Sequence, residues 1–157
     1  MNLFYSTLPI SGMSNFPTRR MRRLRGEGVR DVVEETTVRT EDLVAPLFVD
    51  ANLDKKSEIP SMPGQYRNPV DEIGVRAGEL RDLGIPAVIL FGVPETKDEQ
   101  GTRAWAEDGV VQRATRRIKN SVDDLLVMTD LCMCEYTEHG HCGVLDDEGN
   151  EIGRAHV

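Results

Sequence analysis

Three short apolar runs, "LVAPLFV" at 43–49, "PAVILFG" at 86–92 and "DLLVMTD" at 124–130, constrain the fold of this chain more than any other feature. A strand with one wet face alternates polar and apolar residues. A continuous run belongs to a strand buried on both faces, as in a parallel sheet covered by helices. The segments between the runs have helical spacing. Behind Pro69, the residues Val70, Ile73, Val75, Ala77, Leu80 and Leu83 form a stripe that stops at Gly84, a natural C-terminal cap. After Gly109, Val110, Val111, Ala114 and Ile118 share one face. Strand, helix, strand, helix, strand is the order of an α/β fold with a parallel sheet. Outside this frame, residues 28–35 suit a short helix, and 52–68, punctuated by Pro60, Pro63 and Gly64, a long loop or irregular hairpin. A short hairpin is expected around Glu148, Gly149 and Asn150.

Charge narrows the function classes. The net charge is −8, yet residues 1–30 hold six arginines against Glu27 alone, leaving the remainder at −13. An acidic body argues against a nucleic-acid binder, which needs a basic face. The stretch "NFPTRRMRRLRG" reads as an extended arm, either solvated or bound to a neighbouring subunit. No run reaches the roughly 18 apolar residues of a membrane span, and the first residues lack a signal-peptide pattern, so a cytoplasmic protein is expected.

All three cysteines and two of the three histidines fall within "TDLCMCEYTEHGHCG", residues 129–143, directly after the third apolar run. In parallel α/β folds functional groups gather at the carboxyl ends of strands, which is where this cluster lies. Three cysteines cannot all pair with one another, and clustered cysteines in a reducing compartment more often bind metal or react. Cys132, Cys134 and Cys142 make a candidate three-thiolate zinc site. A structural zinc site normally closes with four ligands; three leave a position open. His139, His141, Glu135 and Asp130 are the residues near enough in sequence to supply a fourth, although adjacency to Cys142 disfavours His141 as a ligand. Reduced cysteines lining a buried turn remain the simpler alternative.

The same stretch resembles the zinc-site signature of the porphobilinogen synthase (5-aminolevulinic acid dehydratase) family. The order of "FPTRRMRRLR" at 16–25, "LVAPLFV", "IPSMPGQYR" at 59–67, "LFGVPETKDEQGTRAW" at 90–105 and "VQRATRRIK" at 111–119 agrees with it. The resemblance implies a TIM (β/α)₈ barrel, here only its N-terminal part with about three parallel strands. It also implies an N-terminal arm over residues 1–30, a partial barrel over 31–157 with the zinc loop at 130–143, and an octamer-type homo-oligomer built through the arm. Arg19, Arg20, Arg22, Arg23 and Arg25 would then be oligomer contacts. The implied reaction condenses two 5-aminolevulinate molecules into porphobilinogen with loss of two waters. Cys132, Cys134 and Cys142 would hold the catalytic zinc, and Asp130 would be an accessory polar group near the active site or a plain strand-end carboxylate. Magnesium is a second candidate cofactor, for which no other metal-ligand spacing stands out.

Family members bind substrate as Schiff bases on two lysines in the second half of the barrel, beyond the residues present here. Lys55 and Lys56 lie in a polar loop, Lys119 near a helix C-terminus that favours its charge, and Lys97 between Glu95 and Asp98, so none suits a Schiff-base lysine, which needs a lowered pKa. The chain is therefore expected to be inactive alone, as a fragment of an enzyme. The competing expectation is a non-catalytic zinc-binding module that pairs with a complementary piece.

Overall fold

A computed structural model describes residues 26–154, with side chains through residue 152. The expected arm residues up to Arg25, including the arginine cluster, lie outside the described residues. The described residues fall into two units that divide after Thr37. In the first, helix α1 (Glu27–Val32) buries none of its residues and pairs Glu27 with Arg30 at 4.0 Å.

The second unit is an α/β layer. Its strands are β1 (Val44–Asp50), β2 (Ser57–Glu58), β3 (Tyr66–Asn68), β4 (Ala87–Val93) and β5 (Leu126–Thr129), in the sheet order β2-β3-β1-β4-β5. β1, β3, β4 and β5 run parallel; only β2 is antiparallel, to β3. Helices α2 (Ile73–Asp82) and α3 (Val110–Ser121) make the crossovers before β4 and before β5. A small antiparallel hairpin follows, β6 (Gly143–Leu145) with β7 (Glu151–Arg154). Among the described residues no helix is long and apolar enough to cross a membrane.

Alternation along β1 and β4 explains their continuous hydrophobicity. Leu47, Val49, Val88 and Leu90 enter one core with Ile73, Ala77 and Leu80 of α2 and Val110, Ala114 and Ile118 of α3. On the intervening positions Phe48 and Phe91 stack with ring centres 5.5 Å apart. Both faces of these strands are therefore apolar, as a parallel sheet requires. Gly84 ends α2 at φ +87°, a conformation that glycine adopts without steric cost, and Ile85 N closes the cap on Leu80 O at 3.1 Å.

The irregular hairpin expected in 52–68 is present as β2 paired antiparallel with β3, and β3 further joins the sheet parallel to β1. Arg67 pairs with the buried Asp50 at 3.0 Å, and Asn68 Nδ2 donates to Phe48 O at 3.2 Å. Two expectations needed correction. Val75 and Leu83, counted in the α2 stripe, are exposed, because the buried positions are Ile73, Gly74, Ala77 and Leu80. The third run contributes only four residues to β5, of which Leu126 and Met128 are exposed, with Leu125 buried just before it.

Candidate metal centre

The parallel ladder between β4 and β5 delivers the chain to the cysteines. Its last bond runs from Asp130 N to Leu90 O at 3.3 Å; β5 then ends and the backbone turns outward. Residues 133–137 wind into one turn, with Tyr136 N and Thr137 N both donating to Met133 O, at 2.9 and 3.1 Å. Met133, Tyr136 and Thr137 are buried, so this turn packs as part of the core.

Neighbouring loops hold the turn in place. Asp98, in the loop after β4, forms an isolated parallel bridge with Thr137: Asp98 N donates to Tyr136 O at 3.3 Å, and Glu138 N to Asp98 O at 3.1 Å. The Asp98 carboxylate accepts from Gln100 N and Thr102 N, each at 3.0 Å, and from the Thr102 hydroxyl. The Thr102 hydroxyl is the main reason that this carboxyl is held below its usual range. His139 Nδ1 accepts from His141 N at 3.1 Å, which leaves Nε2 to carry the proton toward Glu99 O, also at 3.1 Å. Thr137 Oγ1 donates to His141 O at 3.0 Å, closing the loop just before Cys142.

Within this frame the three cysteines meet. Cys132 Sγ lies 3.2 Å from Cys134 Sγ and 3.1 Å from Cys142 Sγ, and all three are free thiols. Among the described residues they are the only group of three or more histidine, cysteine or acidic side chains whose ligand atoms lie within 4.8 Å of one another. His139, His141, Glu135 and Asp130, weighed from the sequence as a fourth ligand, do not come within that distance of all three sulfurs. Three thiolates sharing a tetrahedral zinc at about 2.3 Å would sit about 3.8 Å apart. The separations of 3.2 and 3.1 Å are shorter by about 0.6–0.7 Å, so the sulfurs would spread to admit an ion, and the donor set fits a thiophilic one.

The protons on the sulfurs are unevenly held. The Cys134 N–H hydrogen-bonds to the Cys132 sulfur and, with the other two thiols, lowers the Cys132 pKa. Sharing its proton with Cys132 pushes Cys134 up to about 12, and Cys142 is raised for the same first reason. A metal cation binding such a cluster would displace the protons that the sulfurs still hold.

Asp130 is half-buried beside the cluster, and its negative charge raises the pKa of Glu135 and Tyr136 after the larger effect of burial; Tyr136 is pushed up to about 12. A cavity of about 460 Å³ adjoins, lined by Trp105, Val111, Thr115, Asp130, Cys132 and Tyr136. Gly92 lets this side close up, since a Cβ there would lie 2.7 Å from Val111 Cγ2 and 2.8 Å from both the Tyr136 hydroxyl and Val110 Cγ1. Sequence reasoning missed Gly92, Asp98, Thr137 and Tyr136. Only the dense text around them pointed there, because Gly92 and Tyr136 act by close packing and Asp98 and Thr137 by bonds to residues whose proximity the sequence does not show.

The loop over the cavity is fastened by Glu95, which accepts from Arg103 at 3.2 Å and from Arg113, while Arg103 also reaches Asp108 at 3.0 Å. Burial pushes the Glu95 carboxyl up, but a backbone N–H and the two guanidiniums outweigh it and hold the pKa below its ordinary value. A carboxyl lowered by folding stabilises the protein above its unfolded pKa of about 4.3, and that contribution is lost as pH falls through the folded value. Glu95→Gln is therefore expected to melt lower than wild type at pH 7 and to lose less on acidification. Thermal melts between pH 7 and 3 check this; parallel curves would remove Glu95 from the acid response.

Comparison with known proteins agrees with this geometry. The sequence pattern of the family described as Delta-aminolevulinic acid dehydratase matches residues 18–156. The chain is 51% identical over 140 residues to the Delta-aminolevulinic acid dehydratase of Synechocystis sp., covering 88% of this chain and 42% of that one. It is 49% identical over 134 residues to the enzyme of the same name from Staphylococcus aureus, covering 85% and 42%. The crystal structure of delta-aminolevulinic acid dehydratase from Toxoplasma gondii, in complex with the reaction product porphobilinogen, superposes with a TM-score of 0.74 at 32% identity, over 88% of this chain and 40% of that one. The chain thus spans about 42% of the length of the curated relatives it matches. The parallel β/α order of residues 38–157 is the corresponding part of a TIM-barrel enzyme, and the chain belongs to the delta-aminolevulinic acid dehydratase family.

Proposed function

We propose that this chain supplies the metal-holding side of a porphobilinogen synthase, which condenses two molecules of 5-aminolevulinate with loss of two waters. The observation that carries the reading is the convergence of Cys132, Cys134 and Cys142 at the carboxyl end of β5, in a chain of this family. These three residues would hold zinc, which supplies Lewis-acid polarisation of a substrate oxygen or a water at its remaining coordination position. Asp130, beside Cys132 at the cavity wall, would orient the substrate's amine by accepting a hydrogen bond from it at a carboxylate oxygen. Met133, Tyr136 and Trp105 supply apolar surface and limit water.

The covalent half of the reaction is assigned to residues outside these 157. Lys55, Lys56, Lys97 and Lys119 are all exposed. Lys119 Nζ donates to Leu125 O at 2.7 Å, and Lys56 stands 5.1 Å from the centre of the Tyr66 ring. None is desolvated, the usual route to an amine neutral enough to form a Schiff base at pH 7. The same reading places the protein in the cytoplasm and carries a homo-oligomer built through the arm of residues 1–30, whose six arginines complement the −13 of the remainder.

Two measurements test the proposal. Borohydride reduction with 5-aminolevulinate is expected to leave all four lysines unmodified by mass spectrometry. The chain fused to the unmatched C-terminal part of the Synechocystis relative is expected to form porphobilinogen. A trapped lysine adduct, or a folded, zinc-loaded fusion with no product, would overturn it.

A further inference from the structure

Resting on the metal reading above, we propose that Glu135 is a positioning residue for the cysteine cluster, acting through the amide of Gly92 at the end of β4. The β4–β5 ladder stops with Asp130 N on Leu90 O, and Gly92 N, two residues further along β4, is met instead by Glu135 Oε2 at 3.0 Å. Gly92 is buried and Glu135 half-buried, so the bond is shielded from water. A buried amide without an acceptor is costly, which favours keeping the carboxylate in place. Glu135 directly follows Cys134 in the chain. Anchoring it to β4 fixes the backbone that presents Cys134 Sγ and the Cys134 N–H that braces the Cys132 sulfur.

Its carboxylate does not join the three-sulfur group, so its contribution is to orientation, as with partners just outside a metal's ligands. Loss of such partners commonly weakens metal binding by about 10- to 100-fold.

Reach and charge are separable here. Glu135→Asp keeps the charge but is one methylene short of Gly92 N. Glu135→Gln removes the charge but keeps a carbonyl acceptor at full reach. Zinc affinity measured by competition with a chromophoric chelator is expected to fall about tenfold in Glu135→Asp and to be largely retained in Glu135→Gln. Amide exchange is expected to show Gly92 N–H losing protection in Glu135→Asp, while Val88 and Leu90 keep theirs. Affinity unchanged in Glu135→Asp, or lost in Glu135→Gln, would overturn the inference, the latter by making Glu135 a charge donor to the site. Cys134→Ser in the same titration separates the two ideas. If wild type takes up no zinc, or if Cys134→Ser binds as tightly as wild type, the metal reading fails. If both behave as expected and Glu135→Asp binds normally, only the positioning role fails.

Discussion

Cys134→Ser is expected to weaken zinc binding by about 10²- to 10³-fold, the share of one ligand in a binding free energy of about 10–16 kcal/mol spread over four ligands. Serine keeps the size of the side chain, but its hydroxyl resists deprotonation far more than a thiol and is a harder donor, so a thiophilic ion loses one of three anionic ligands. Because the two heavily protonated thiols, Cys134 and Cys142, both lean on Cys132, the substitution also removes one proton from those released on binding. Bound zinc and proton release, measured together by calorimetry in two buffers of different ionisation enthalpy, read both effects. Equal zinc stoichiometry and equal proton release in wild type and variant would show that Cys134 is not a ligand.

Gly92→Ala is expected to destabilise the fold by about 1–3 kcal/mol, the usual cost of forcing extra atoms into a close-packed core. Against a typical domain stability of about 5–15 kcal/mol this is a large loss. The added methyl would press on Val110 and Val111 in the first turn of α3 and on the Tyr136 hydroxyl, at 2.7–2.8 Å. None of these is a flexible side-chain end with open space behind it, because Val110 is fully buried and Tyr136 is 5% exposed. Relief through Tyr136 would shift the turn carrying Cys134, so zinc affinity is expected to fall with stability. Urea unfolding of Gly92→Ala, Val111→Ala and the double variant checks the cause. The double variant is expected to recover part of the loss, giving a coupling energy of opposite sign to the single effects. Strict additivity would locate the strain elsewhere.

The layers of the fold were legible because burial on both faces leaves a plain mark, a run without polar breaks, in β1 and β4. The two helices were legible through Ile73, Ala77 and Leu80 and through Val110, Ala114 and Ile118, all buried as the spacing required. The hairpin of β2 and β3 was within the expected loop or irregular hairpin, but its attachment to β1 was not legible, since an ion pair and a side-chain amide bond to residues distant in sequence make it. The cysteines announced themselves by residue type. Their supports did not, because the bridge between Asp98 and Thr137 and the Glu99 carbonyl use main-chain atoms that every residue possesses, and Gly92 works by what it lacks.

The bridge between Asp98 and Thr137 bears on timing. Main-chain bonds between two loops, with Thr137 almost wholly buried behind them, use none of the three sulfurs and so do not depend on an ion. The conformational entropy of ordering the ligand-bearing turn is thus spent in folding, and little is left to lose on association. On the proposed metal reading, a cation would meet a turn already held by these bonds, leaving the sulfurs to spread apart and give up their protons.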